Sequence, residues 1–260
     1  MLRGKTSQPQ VLRNMQLLID ERLPFGCITV LSRMTVRNIR YIYKFFEEID
    51  TSFRILPIYR TGYSHQQDGL ALTDVQIVNA FKEVVDLWLR SDSSIQVRPI
   101  QDYLTNVLAK LGGVEPRNYY DKMADEVVYI VEPDGALYSV ADPPDVRLCH
   151  GNIFRSPLRD LKRSAGYLRA VAAANERLEQ ACSDCAYYGV CSGYFMGEAT
   201  PEQRTTRENG LVRCGVAQPL HEYIERVLTE IGGFDLARAE PATQSHSVNL
   251  TAHKAGRPHH

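Results

Sequence analysis

Apolar residues recur along this chain at helical spacing, at strand spacing and in short unbroken runs. Val11, Met15, Leu18 and Ile19 return at helical intervals, which predicts a helix over 9–22 that Pro24 stops. Residues 25–31 are apolar at successive positions, as in a strand buried on both faces of a parallel sheet. Thr35 stands where an N-cap belongs, ahead of the stripe Val36, Ile39, Ile42, Phe46 and Ile49. A second apolar strand follows over 53–59. The order helix, strand, helix, strand implies parallel strands joined by a right-handed crossover.

A loop over 60–72 carries Gly62 and Gly69, and Thr73 then caps a helix with Val78, Phe81, Val85 and Trp88 on one face. Another helix is predicted over 100–111, ended by Gly112-Gly113. The character changes near Asp125. Residues 127–131 and 136–140 read as a hairpin turning at Pro133-Asp134-Gly135. An Ala-rich helix over 158–180, a cysteine-bearing loop region and a last helix over 220–231 complete the pattern. Residues 236–260 are nearly free of apolar side chains and read as a disordered tail. Two parallel strands are too few to stand alone, so the chain reads as beginning inside a larger α/β domain.

Composition narrows the class. The 44% hydrophobic and 23% charged residues suit a soluble globular protein. A net charge of -1, from 30 basic and 31 acidic residues, argues against a nucleic-acid or anionic-membrane partner. No apolar run is long enough to span a bilayer, and no signal-peptide core follows the basic N-terminus. The expected compartment is the cytoplasm, where the 6 cysteines stay reduced and are better explained by metal than by disulfides.

The strongest chemical signal is Cys182-Ser-Asp-Cys185-Ala-Tyr-Tyr-Gly-Val-Cys191, with Cys214 further on. Two sulfurs in a C-x-x-C turn can serve one metal centre, and the other two cysteines can close it. Four thiolates suit zinc or an iron–sulfur cluster. One tight pair with two irregular partners fits a cuboidal cluster best. Zinc is the alternative metal, and unliganded thiols or a disulfide remain open. Cys27 reads as a small buried hydrophobe in its strand. Cys149 reads as a free, partly buried thiol. Tyr187 and Tyr188 read as water shields for the site. Arg60, Gly62 and Tyr63 follow a strand at its ligand-binding end but read first as ordinary loop residues. Asn249-Leu-Thr251 matches a glycosylation acceptor without a secretory context, and the tail histidines His246, His253, His259 and His260 read as adventitious metal binders.

The cysteine run resembles the auxiliary-cluster region of SPASM domains, which lie at the C-terminus of radical S-adenosylmethionine (SAM) enzymes that modify peptides. Cys191-Ser-Gly193 resembles the family's C-x-G step, Gly151-Asn152-Ile153 its Gly-Asn-Ile segment, and Pro133-Asp-Gly-Ala-Leu-Tyr138 its entering hairpin. Upstream, 11–18, 28–32 and 53–59 resemble later elements of a radical-SAM partial barrel. The resemblance implies an α/β fold: the C-terminal half of a partial (β/α) barrel over 1–124, a SPASM-like iron–sulfur domain over 125–235, and the tail over 236–260. It implies one auxiliary [4Fe-4S] cluster on Cys182, Cys185, Cys191 and Cys214.

The sequence departs from the family in two places. It holds no C-x-x-x-C-x-x-C loop, so S-adenosylmethionine is expected only if a complete barrel is assembled. Ser139, Ser156 and Phe195 stand where the family's second auxiliary cluster takes ligands, with Phe195 filling that space. The resemblance implies a radical-SAM N-terminal half and a precursor peptide as partners. The other readings are a non-catalytic peptide-binding or electron-transfer module and the product of a truncated gene.

Overall fold

The computed structural model describes residues 7–59, 69–115, 117–142 and 145–231. The expectations at Arg60, Gly62 and Tyr63, at 236–260, and at the tail histidines and Asn249-Leu-Thr251 lie outside the described residues.

Helix α1 (Gln8–Asp20) carries Pro9 in its first turn and buries none of its side chains. Strand β1 (Cys27–Leu31) leads through a 3-10 turn at Val36–Asn38 into α2 (Ile39–Glu48) and then β2 (Phe53–Pro57). The two strands pair in parallel from Cys27↔Phe53 to Leu31↔Pro57, as the alternating order requires. Two expectations need correction. Strand β1 is not buried on both faces: Leu31 is enclosed, but Ile28 is 65% and Val30 52% exposed. The helices cover one face of the sheet, and no described element covers the other. Thr35 does not cap α2; its Oγ1 instead accepts the Ser32 N–H at 2.9 Å and fixes the preceding turn.

Helix α3 (Asp74–Leu89) is held at its start by a reciprocal Thr73–Gln76 capping box. Its Ile77, Val78, Phe81, Val84 and Val85 are buried, and the Trp88 indole N–H donates to the Ile95 carbonyl at 3.1 Å. A third strand, β3 (Val97–Arg98), pairs parallel to β2. Two residues are too short to leave a hydrophobic pattern, so the sequence does not reveal it. Helix α4 (Ile100–Leu111) ends at Gly112 as expected.

The second half begins with α5 (Lys122–Asp125), capped by Asp121, whose carboxylate accepts the Met123 N–H at 2.9 Å. Strands β4 (Tyr129–Val131), β5 (Ala136–Ser139) and β6 (Gly151–Asn152) form an antiparallel sheet in that order. Gly135 turns the β4–β5 hairpin at φ +87°. The Ala-rich segment is not one helix but two, α6 (Leu158–Leu161) and α7 (Ala165–Cys182). Ser164 interrupts them because its hydroxyl caps α7, accepting the Tyr167 N–H at 3.1 Å. A short helix α8 (Tyr194–Gly197), a β7 (Thr205–Thr206)–β8 (Val212–Arg213) hairpin and α9 (Ala217–Glu230) follow. Helix α9 returns to the first sheet's helices: its Leu220, Ile224 and Leu228 share a core with Phe81, Val84 and Val107 of α3 and α4. Each such enclosed aliphatic side chain contributes about 1.5–3 kcal/mol. No helix among the described residues is long and apolar enough to cross a membrane.

Candidate metal centre

Cys182, Cys185, Cys191 and Cys214 line one cavity. Cys182 is the last residue of α7, and the Cys185 N–H bonds back to its carbonyl at 2.9 Å, which makes the C-x-x-C turn. The loop then folds over itself, with the Cys191 N–H on the Tyr187 carbonyl at 2.7 Å. Cys214 arrives from the other side, between β8 and α9. The chain thus brings together the four cysteines singled out by their spacing. Cys27 and Cys149 do not line this cavity: Cys27 is half-buried at the start of β1 rather than enclosed, and the Cys149 thiol points to the Gly151 carbonyl at 3.6 Å.

The walls are Ala181, Tyr187, Tyr188, Phe195, Met196 and Ala217, with Gln218 and His221 as the polar exceptions. Tyr187 is almost fully buried and stacks on the His221 ring at 4.8 Å. Its hydroxyl donates to Glu225, which Lys110 also binds at 2.6 Å. Phe195 remains 53% exposed while lining the cavity and meeting Tyr103 at 6.2 Å. Gly193 has φ +83°, and a Cβ there would fall 2.7 Å from Leu178 and 3.4 Å from the Cys182 sulfur. The loop therefore needs glycine to pass this close to the thiols.

Electrostatics follow from burial. The Cys182 thiol is pushed up to about 12, by burial first and then by the other three cysteines. Cys191 and Cys214 are also raised by burial, against the pull of nearby backbone N–H groups: Gly193 for Cys191, and Gln218, Ala217 and Val216 at the start of α9 for Cys214. Every pair among the four sulfurs is electrostatically coupled. Metal binding must displace protons from such thiols, and an unneutralised set of thiolates is costly here. Among the described residues, no three His, Cys, Asp or Glu side chains converge closely enough to hold a single metal ion.

Sequence reasoning missed His221, Gln218 and Met196. His221 continues the Ala217, Leu220, Ile224 stripe of α9, and that periodicity is the signal that places it inside. Burial pulls its imidazole down to about 4, so it is neutral, with Nε2 3.2 Å from the Asn106 amide.

A second buried polar group lies nearby. Lys122, without solvent exposure, binds Glu126 at 3.0 Å and Glu198 at 2.6 Å, and the Tyr120 hydroxyl donates to the same Glu198 oxygen at 2.6 Å. Arg177 donates to the Met196 and Gly197 carbonyls at 3.1 and 2.5 Å.

The architecture is a mixed α/β fold with a parallel three-stranded sheet and a cysteine-bearing antiparallel half. No protein-family profile and no curated sequence matches the chain. Solved structures do. The chain resembles the anaerobic sulfatase-maturating radical SAM enzyme anSMEcpe, solved with AdoMet and the Cp18Cys peptide, at TM-score 0.53 and 18% identity. A second structure of that enzyme, with AdoMet and the Kp18Cys peptide, matches at TM-score 0.54 and 18% identity. The match covers 86% of this chain and 61% of the first of those chains, so this chain spans about three fifths of its solved relative. At that identity the likeness establishes a shared fold.

Proposed function

We propose that this chain is an iron–sulfur protein of the SPASM type, holding one [4Fe-4S] cluster on Cys182, Cys185, Cys191 and Cys214. The observation that carries the reading is the meeting of those four thiols around one largely apolar cavity. Zinc needs four sulfurs about 2.3 Å from a single point, whereas a cluster interposes iron between its thiolates and suits sulfurs that ring a cavity. The donor set and the backbone N–H groups beside Cys191 and Cys214 fit such a cofactor. A bound cluster supplies one-electron storage at a site screened from water. Tyr187, Tyr188 and Met196 exclude solvent, and Gly193 lets the loop close over the sulfurs.

In this reading residues 1–124 are the later part of a radical-SAM partial barrel and 125–235 the cluster domain. The chain then works in the cytoplasm with a separate half that carries the S-adenosylmethionine site, acting on a precursor peptide. The bare face of the parallel sheet at Ile28, Val30 and Leu56, and the absence of any buried side chain on α1, support a missing neighbour there.

The test is metal content and visible absorption after anaerobic purification and reconstitution, with Cys185→Ala as control. The expected result is about four irons per chain, with charge-transfer absorption bleached by dithionite and lost in the variant. One zinc per chain, or a metal-free chain with unchanged fold, overturns the reading.

A further inference from the structure

Strand β5 is central in the antiparallel sheet and bonded on both sides, and β4 is one of the sheet's two edges. Towards β6, the Leu137 carbonyl of β5 accepts the His150 N–H at 2.8 Å and the neighbouring Gly135 carbonyl accepts the Ile153 N–H at 2.9 Å. On the other side, the Glu132 N–H closes the hairpin on the Ala136 carbonyl at 2.9 Å. Antiparallel pairs alternate, so Ile130 opposite Tyr138 is the next bonded pair. The N–H and C=O groups of Tyr129 and Val131 therefore point away from β5, and no described residue pairs with them.

That edge, Tyr129–Val131, continues an apolar run from Val127 and Val128, five strand-forming residue types with no charge and no proline. Val127 is 83% exposed, Val128 56% and Val131 48%. Edges are ordinarily blunted by lysine, proline or a bulge, because a bare row of backbone donors and acceptors recruits another strand. None of these three is present, and the only protection is the shortness of β4 itself. Exposed carboxylates bracket the run, Asp121 and Asp125 before it and Asp134 after it. A second copy pairing antiparallel would set Asp125 of one chain near Asp134 of the other, acid against acid. Basic flanks on a different strand would be attracted instead.

We propose that the β4 edge is a strand-addition site for an extended polypeptide segment of alternating β-branched residues with basic flanks. Main-chain bonds to Tyr129 and Val131 supply affinity, Val127 and Val131 meet the incoming apolar side chains, and the aspartates choose the charge of the ends. This site stands independently of the cluster.

The probe is a fluorescein-labelled Lys-Thr-Val-Thr-Val-Thr-Lys peptide, followed by anisotropy on the full chain. The wild type binds it, and the same peptide N-methylated at alternate amides does not. Val131→Pro removes an outward N–H that the β5 ladder does not use, and weakens binding about tenfold, the worth of one well-made bond. Val131→Lys keeps the backbone and weakens binding by repelling the basic ends. Thermal melts check that both variants keep the fold. Equal binding of the N-methylated peptide, no binding by the wild type, or a dimer that Val131→Lys dissociates each overturns the proposal. The last result would assign the edge to a second copy.

Discussion

Two buried polar groups sit within a few residues of each other and are built on opposite logics. Met196 lines the cysteine cavity, while Glu198 belongs to the ionic knot around Lys122. In the knot, the ammonium has two carboxylates, and Tyr120 donates to one of them. The protein pairs that group's charges with its own residues, leaving only Glu126 Oε2 without a hydrogen bond. In the cavity, four thiols face apolar walls, and burial, with the neighbouring sulfurs, makes Cys182, Cys191 and Cys214 costlier to ionise. A polar set whose charges are paired internally fixes a fold; one left open to a common cavity has donors free for something from outside.

Breaking the knot gives the largest expected effect. Lys122→Met leaves Glu126 and Glu198 without their shared cation, and removing one partner of a buried pair costs about 3–5 kcal/mol. Urea unfolding of the metal-free chain reads it as a lower midpoint at unchanged slope. Lys122→Met with Glu198→Gln recovers part of the loss, because the new side-chain amide keeps an acceptor for Tyr120 without a buried charge. If Lys122→Met proves as stable as the wild type, the knot is not the structural half of the contrast.

Each site has its own buried histidine, and pH separates them. His150, bonded to Ser139 at 3.0 Å, is drawn down to about 4 by burial and by Lys122; His221, against the cavity, is drawn down to about 4 by burial. Both are neutral in the fold, whereas an unfolded histidine takes a proton near pH 6.5. The unfolded state therefore binds more protons, and stability falls as pH drops from about 6.5, with the loss complete below about 4. Between pH 7 and 5 each histidine accounts for about 2 kcal/mol. Asp142, raised by burial, works in the opposite sense, so the contribution is read from variants. His150→Gln and His221→Gln each flatten the urea midpoint's dependence on pH. Only His221→Gln is expected to shift the absorption of a reconstituted centre. A pH slope unchanged in both variants defeats this assignment.

Much of this was legible in the chain. The spacing of Cys182, Cys185 and Cys191 marks a turn and a short loop whatever the surrounding fold, and Gly112-Gly113 announces the end of the helix at 100–111. Other features depend on what packs above them. Lys122 and Glu126, four residues apart, read locally as a solvated helical pair, and only Glu198, far downstream, encloses them. Ile28 and Val30 have the composition of a doubly buried strand, yet composition cannot say whether a second layer is there to cover it. Strand β3 is set by its pairing with β2 and is too short for any periodicity. The cavity's cysteines were readable because their chemistry is local; His221 joined them only once α9 was laid on α4.

The smallest predicted effect tests whether the cavity's shape, and not only its sulfurs, is specified. Gly193 lies in the left-handed region, which costs an alanine about 1–2 kcal/mol. The new methyl would also press on Leu178 at 2.7 Å and on the Tyr188 ring at 3.1 Å. Both neighbours are side chains that can shift, so Gly193→Ala should fold with a modest drop in thermal midpoint. Its consequence at the site should be disproportionate, because the same methyl reaches the Cys182 sulfur at 3.4 Å and stands between it and the loop that carries Cys191. Iron retained after reconstitution should fall well below the wild type. Gly210→Ala, at φ +78° with open space around it, carries the same backbone strain away from the cavity and should leave iron content unchanged. Equal iron loss in the two variants would reduce the effect to general destabilisation, and full retention in Gly193→Ala would mean that the thiols alone define the site.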